Sequence, residues 1–477
     1  MKILFIDPPS HRFGLNTAFA HLAPVVRNAG HEFDFIDANN KKISDLKNKI
    51  LKSKPDAIGF SIQSLTYYAA MKLAKKIKEY YDKPIIVGGP QTFIEQDNIL
   101  KQHPAVDIIV IGEGENTIIE LMNALEKNKD LPEIKGIIYK QNGKIIKNLP
   151  RELIEDLDSL PYPDYSIYDS IQYSTISGKV EYSLFTSRGC PYNCSFCTTP
   201  AYYNRKWRAR KPENCINELK YALKQNPKIK HFMIRDENFT VNKENAKKFC
   251  RLLIKENLGL TWDCIFRADG FDEELARLME KTGCIKVQVG IESLDPEVFK
   301  KIDKGESLDI VIKGIKLLRK VTNMKIFGYF VLGLPGDTFN KTMKTYKLGK
   351  KLNLDYTEWQ HLMVFPKTRV AEQAKTMNGK IIKDYKEQFN PYDVGFETPE
   401  FKKKEREKAY EIIRTKEKAY RFDLDKTNFQ NLIYNLKLIL KYDIWNLPEH
   451  LFKITIKGIQ ILLKGREKVI GGIDVQE

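Results

Sequence analysis

Short apolar runs alternate with helical patterns in two separate series, and that alternation constrains the fold more than any other feature. In residues 1–145 the runs are Ile3–Ile6, Glu32–Ile36, Ala57–Ile62, Pro84–Val87, Ile108–Ile111 and Gly136–Tyr139. Between them, Tyr67–Tyr80 and Asn116–Lys127 place apolar residues at three- and four-residue steps. This rhythm predicts an α/β fold, a doubly wound parallel sheet with helices on both faces. Ligands of such a sheet sit beyond the carboxyl ends of its strands. Residues 146–180 read as a connector, in which Leu160-Pro-Tyr-Pro-Asp164 favours extended backbone. Over 181–376 the rhythm returns with Tyr182–Thr186, His231–Arg235, Thr261–Arg267, Ile285–Ile291, Lys325–Leu332 and Thr357–Phe365. Residues 377–477 form a mainly helical tail.

The second series begins with Thr186-Ser-Arg-Gly-Cys-Pro-Tyr-Asn-Cys-Ser-Phe-Cys197, which sets Cys190, Cys194 and Cys197 in a CxxxCxxC spacing. Thiolates hold iron–sulfur clusters, normally one per iron, so three leave one iron of a four-iron cube open to a small molecule. A structural zinc site wants four ligands. The nearest histidine, His231, is well separated, and no fourth cysteine lies at a zinc-finger spacing. The triplet, with the aromatic Phe196 before its last cysteine, resembles the fingerprint of the radical SAM enzymes. That resemblance implies a partial (β/α)6 barrel and a [4Fe–4S] cluster on the three cysteines. It also implies that the open iron chelates S-adenosylmethionine (SAM), whose one-electron cleavage gives a hydrogen-abstracting 5′-deoxyadenosyl radical.

In a barrel of this kind chemistry collects at the carboxyl ends of the strands. Asp236-Glu237-Asn238 follows the second strand, where the family places an acid on the methionine amino group. Arg267 with Asp269 ends the third. Gly290-Ile-Glu292-Ser293 ends the fourth and resembles the turn reaching the ribose and methionine portion; Gly333-Leu-Pro335-Gly-Asp337 ends the fifth, where an apolar turn packs near adenine. The candidate SAM residues are therefore Phe196, Asp236, Glu237, Arg267, Glu292, Gly333 and Pro335. Gln360, His361 and Arg369 of the sixth unit are candidates for facing substrate, although Val364-Phe-Pro-Lys-Thr-Arg369 departs from the relatives' Pro-x-Pro-Gly-Thr.

The first series also has a resemblance. Asp7-Pro-Pro, Gly30-His-Glu32, Gly88-Gly-Pro90 and Gly112-Glu-Gly-Glu115 resemble the cobalamin-binding domain that precedes many radical SAM cores. The implied cobalamin residues are Ser61, Gly88, Gly89, Gly112, Glu113 and Gly114. The cobalt-ligating Asp-x-His-x-x-Gly motif of methionine synthase and the mutases is absent, since Ser10-His11-Arg12-Phe13-Gly14 does not match it. Cobalamin-dependent radical SAM methylases commonly lack that histidine, and some members keep the fold without using cobalamin. The resemblance implies methylation of an unactivated carbon. The alternatives are a non-methylating cyclisation, oxidation or carbon–carbon bond formation, on a lipid, isoprenoid or tetrapyrrole, and a non-catalytic SAM- or corrinoid-binding protein.

Composition sets outer limits. The net charge of +17 admits nucleic acid, an anionic membrane or acidic substrates, but the lysines are spread along the chain and no nucleic-acid module is recognisable. Seven cysteines, an odd number, argue against a secreted disulfide scaffold. With no run of eighteen apolar residues and too short an apolar core at Met1 for a signal peptide, the expectation is a cytoplasmic enzyme. Cys215, Cys250, Cys264 and Cys284 read as buried small hydrophobes. Lys402–Tyr420 reads as a charged helix with a solvated face. Asn428–Tyr442 and Leu451–Leu463 admit two readings, helices packed over the barrel mouth or a basic patch making peripheral membrane contact. The expected partners are a small-molecule or lipid-like substrate and an external one-electron reductant of flavodoxin or ferredoxin type, with no nucleic acid.

Overall fold

The computed structural model describes residues 1–9, 15–39, 41–127, 129, 131–168, 180–384, 392–417 and 436. The N-terminal sheet contains β1 (Lys2–Asp7), β2 (Glu32–Asp37), β3 (Ala57–Ser61), β4 (Ile85–Gly88), β5 (Ile108–Val110), β6 (Ile137–Gln141) and β7 (Lys144–Lys147), in the order β2-β1-β3-β4-β5-β6-β7. The first five strands are parallel. Every residue of β3 is buried, as a central strand covered on both faces requires. The two faces carry separate apolar clusters, one around Leu4, Ile58 and Val87, the other around Ile3, Phe19 and Leu121.

One edge departs from the expected parallel sheet. β6 runs antiparallel to β5, and β7, which the sequence reading missed, runs antiparallel to β6. The cause is local: Asn142 and Gly143 both have positive φ, 51° and 74°. Asn-Gly with both residues left-handed forms the tight turn that matches the twist of a two-stranded hairpin.

The second sheet contains β8 (Val180–Leu184), β11 (Ile229–Ile234), β12 (Thr261–Phe266), β13 (Cys284–Glu292), β14 (Lys325–Leu332) and β15 (Tyr356–His361). Its order is β15-β14-β13-β12-β11-β8, all parallel. A two-stranded pair, β9 (Ser187–Arg188) with β10 (Arg208–Ala209), stands beyond the end of β8 and brackets the cysteine triplet. Side chains of Asn242, Asp272, Asp295, Ser307 and Thr338 cap the five helices they precede. Such caps satisfy amide groups that the first helical turn leaves free. Cys215, Cys250, Cys264 and Cys284 are buried in the core of this unit.

In the tail, the helix Lys403–Lys416 buries Arg406, Ala409, Ile413, Arg414 and Thr415. It is not simply a solvated face, because Ala409 and Ile413 join the barrel's core. The segments Asn428–Tyr442 (Leu436 apart) and Leu451–Leu463 lie outside the described residues. Among the described residues no helix is long and apolar enough to cross a membrane.

Candidate active site

The cysteine loop leaves β8 at its carboxyl end and is pinned to the barrel from two sides. Ser195 N donates to Ile302 O at 2.9 Å, and Val370 N donates to Ser195 O at 2.8 Å. Phe196 packs against the barrel core. Burial pushes all three thiol pKa values up, that of Cys194 to about 12, where the nearby Lys304 and Arg267 cations oppose the rise. Cys197 acts electrostatically on both Cys190 and Cys194, so the three thiols share one small space. Buried thiols of this kind ionise when a metal takes up the charge, which couples metal binding to proton release. Among the described residues no three His, Cys, Asp or Glu side chains converge tightly enough to hold a single ion; thiolates on an iron–sulfur cube each bind a separate iron.

The adjacent acids Asp236 and Glu237 have different surroundings. Asp236, 1% exposed, accepts from Thr186 N at 2.7 Å, Thr186 Oγ1 at 2.5 Å and Ser187 Oγ at 2.6 Å. Its oxygens are thus fully engaged in tying β8 to β11. Glu237 accepts from Gly189 N at 3.0 Å and acts on Cys190 and Cys197. Burial raises its pKa, as Asp236 beside it also does. Asn238 is 1% exposed with its Nδ2 unpaired. Glu237, a half-buried acid with a backbone amide as its donor, stands beside the cluster loop and suits a cationic ligand.

A group of cations acts on the same thiols. Arg267 Nη1 donates to Lys304 O at 2.6 Å, Nε and Nη2 bind Asp269 at 3.1 and 3.0 Å, and the guanidinium lies 3.6 Å from the centroid of the Tyr192 ring. Lys304 lies 2.9 Å from Glu306 and 3.9 Å from Glu292, and it also donates to Gly290 O. Glu292 has φ +63° at a register break in β13. A non-glycine residue held left-handed costs about 1–2 kcal/mol, and such strain concentrates at functional positions. Gly333 has φ +81°, and Asp337 accepts its amide at 2.9 Å. A Cβ on Gly333 would fall 2.0 Å from Arg406 Nη1, so the turn through Pro335 is packed directly on the tail helix.

Gln360 and His361 occupy successive positions of β15 and so point to opposite faces. His361 is buried against Tyr410 of the tail helix, with ring centroids 5.2 Å apart. Arg369 donates to Asn193 O and pairs with Asp303 at 2.9 Å, which places it on the cysteine loop. The barrel interior is polar. His231 Nε2 lies 3.0 Å from Asp263, Lys286 Nζ 3.1 Å, Gln288 Nε2 donates to Asp263 at 2.8 Å, and Tyr329 donates to Gln288. Burial opposes ionisation of Asp263, yet His231 and Lys286 hold its pKa below the ordinary value.

At the carboxyl ends of the N-terminal sheet, Gly112 has φ +86° with open space where a Cβ would stand. Gly114 starts the helix Gly114–Glu126. A Cβ on Gly88 would make only ordinary contact with Val110, at 3.8 Å, whereas Gly89 is crowded by Ile62 O, 2.7 Å from its missing Cβ, and by Ser61 Oγ at 3.0 Å. Gln91, 1% exposed, accepts from Ser64 through Oε1 and leaves Nε2 unpaired. An open backbone turn beside an orphaned amide fits a large polar ligand. Glu113 is already engaged by Arg188 and Arg208, on the hairpin that carries the cysteine loop.

The family models agree with this geometry. Residues 184–349 match the Radical SAM superfamily and residues 12–122 match the B12 binding domain. An uncharacterized methyltransferase of Pyrococcus horikoshii is 33% identical over 389 residues, covering 79% of this chain and 84% of that protein. The chain belongs to the radical SAM superfamily, in the branch with an N-terminal B12-binding domain. This radical SAM enzyme is also 29% identical over 387 residues to the anaerobic magnesium-protoporphyrin IX monomethyl ester cyclase of Rubrivivax gelatinosus, covering 77% of this chain and 68% of the cyclase. Its fold matches the cobalamin-dependent S-adenosylmethionine radical enzyme OxsB, with a TM-score of 0.69 at 18% identity over 99% of this chain and 77% of OxsB. It also matches the methyltransferase TsrM of Kitasatospora setae, with a TM-score of 0.68 at 18% identity over 80% and 77% of the two chains. The superfamily brings a [4Fe–4S] cluster and SAM to the barrel, and the B12-binding domain brings cobalamin.

Sequence reading missed Tyr192, Lys304, Glu306, Arg188, Arg208 and Arg406. Lys304 and Glu306 sit in the run Lys300-Lys-Ile-Asp-Lys-Gly-Glu306, which reads as surface charge. Their side chains are 4% and 0% exposed.

Proposed function

We propose that this enzyme transfers a methyl group to an unactivated carbon of a small molecule. The reading is carried by one observation. The turns of the B12-binding domain that would meet a corrinoid close directly on the cysteine loop of the barrel, through Glu113 and Glu115 to Arg188 and through Phe93 to Tyr202. The resemblance to a Pyrococcus methyltransferase points the same way. When bound, the cluster and SAM supply a carbon-centred radical, and the corrinoid supplies the methyl group.

In this reading the chain's own residues bind and orient. Cys190, Cys194 and Cys197 hold three irons. Glu237, with one backbone partner, accepts the ammonium of SAM, while Lys304 and Arg267 face the carboxylate. Glu292 takes the ribose side, and the Gly333–Pro335 turn with Phe196 walls the adenine. Ser61, Gly88, Gly112 and Gly114 form the open side on which cobalamin approaches. The polar lumen around Asp263, Gln288 and Tyr329 receives the substrate, and a flavodoxin- or ferredoxin-type protein supplies electrons.

A second reading is favoured by the cyclase relative: the radical closes a ring or oxidises its substrate, with no methyl delivered. Anaerobic protein reconstituted with iron, sulfide and hydroxocobalamin, then incubated with CD3-labelled SAM, reductant and a cell extract, separates the two. Methylation predicts retained corrinoid and a product heavier by the labelled methyl. Formation of 5′-deoxyadenosine without label transfer, or failure to retain corrinoid, favours the second reading.

A further inference from the structure

The hairpin that brackets the cysteine loop has an electrostatic problem it cannot solve alone. Arg188 and Arg208 stand directly opposite each other on the antiparallel pair β9–β10, and their side chains are only 14% and 4% exposed. Like charges facing across a strand pair repel, and burying them removes the water that would screen the repulsion. The answer comes from the other domain. Glu113 Oε1 accepts from Arg188 Nη1 at 3.1 Å and Arg208 Nη2 at 3.0 Å, while its Oε2 accepts from Arg208 Nη1 at 2.8 Å and from Ile154 N at 2.7 Å. Glu115 accepts from Arg188 Nη2 at 2.7 Å. Both acids are buried, with side chains 5% and 7% exposed. Two carboxylates and two guanidiniums make a neutral, enclosed group.

That group sits at the base of the loop holding the cysteines, since Arg188 is separated from Cys190 by Gly189 alone. Gly189 has φ +89°, and a Cβ there would lie 2.1 Å from Lys206 O, so this base has no slack. The far end of the triplet has a second grip from the same domain. The Phe93 ring contacts Tyr202 at 5.3 Å between centroids, and Lys367 donates to Phe93 O at 2.5 Å while lying 4.1 Å from the ring centroid.

We propose that Glu113 and Glu115 are positioning residues for the iron–sulfur site: the B12-binding domain completes the cluster loop by neutralising Arg188 and Arg208. The N-terminal domain is then part of the cluster site as well as a corrinoid carrier. The inference rests on the cluster assignment above, but it does not depend on which reaction follows.

The test uses the full chain, reconstituted anaerobically, as wild type, Glu113→Gln, the charge-balanced Glu113→Gln/Arg208→Gln, and Glu155→Gln as a control. Glu155 pairs with Lys206 nearby but is exposed. Iron and sulfide per chain, the EPR spectrum of the reduced cluster with and without SAM, and corrinoid retained per chain are measured. The expected result is that Glu113→Gln loses at least threefold in iron and broadens the EPR signal while retaining corrinoid like the wild type. The double variant recovers iron to within twofold of wild type, and Glu155→Gln matches wild type. Full iron with a native spectrum in Glu113→Gln, or a double variant no better than the single one, overturns the inference. Absence of corrinoid from every protein, with iron following the expected pattern, would count against the methylation reading and leave this one standing.

Discussion

Asp236→Asn separates a structural acid from a ligand-binding one. The Asp236 carboxylate accepts three hydrogen bonds, from one amide and two hydroxyls, at 2.7, 2.5 and 2.6 Å. Burial pushes its pKa up, and the donors push back. Hydrogen bonds to a charged acceptor contribute about 1.5–3 kcal/mol, against about 0.5–1.5 kcal/mol for neutral ones. Asparagine keeps the shape, but its Nδ2 donates where Oδ2 accepted from both hydroxyls, so those two bonds are lost at about 1.5 kcal/mol each and the site loses about 3 kcal/mol in all. For a unit of this size that is a fall in Tm of about 6–12 °C. Glu237 has a single backbone partner, so Glu237→Gln is expected to change Tm by less than about 2 °C. It should instead weaken SAM binding about 10- to 100-fold, the equivalent of one charge-assisted bond. Anaerobic differential scanning fluorimetry gives Tm, and equilibrium dialysis of the reconstituted protein gives the SAM Kd. If Asp236→Asn weakened SAM as much as Glu237→Gln while melting within about 2 °C of wild type, the two acids would not divide the labour in this way.

Two further outcomes follow from the turn after β14. Burial raises the Asp337 pKa from 3.8 to about 6, so the protonated native form is favoured at low pH and the stability it contributes is lost as pH rises through about 6. Wild type should therefore lose about 2 kcal/mol relative to Asp337→Asn between pH 4 and 6, of about 3 kcal/mol in all; parallel Tm–pH curves for the two proteins would refute this. Gly333→Ala forces a Cβ into the Arg406 guanidinium at positive φ and should destabilise by at least about 2 kcal/mol in urea unfolding. A change under about 0.5 kcal/mol would show that the turn and tail helix are not packed as described.

Local signals were legible and long-range ones were not. The βα rhythm and the cysteine spacing both lie within a few residues of their effects. Asn142-Gly143 is a local hairpin signal of the same kind, and the expectation of a parallel sheet took no account of it. Which of Asp236 and Glu237 faces the cysteines could not be read, because adjacent residues at a strand end diverge according to partners such as Thr186, 50 residues away. Glu113 looked like a glycine-turn residue open to a ligand; its arginine partner Arg208 is 95 positions distant.

The same separation explains why the charge count misled. A net charge of +17 admitted nucleic acid, an anionic membrane or acidic substrates, but the cations around the cysteine loop have been taken out of water. Arg188, Arg208, Arg267, Lys304 and Arg406 keep side chains or whole residues at most 14% exposed, and all stand around the carboxyl end of the barrel. A buried cation must find an anion or be destabilising. Arg188 and Arg208 find Glu113 and Glu115, Lys304 finds Glu306, and Arg267 finds Asp269. Arg406 is held less firmly: Asp337 and Glu397 act on it from a distance, yet burial still lowers its pKa to about 10, and its Nη1 has no hydrogen-bond partner. Lys304 and Arg267 have a second duty, since both act on Cys194 and oppose its high pKa. Burial keeps the three cysteines protonated until a metal takes up their charge, and the two cations lower the cost of ionising Cys194 at that moment. The barrel therefore assembles cations beside its cysteines and then neutralises the surplus with acids, some of them borrowed from the neighbouring domain.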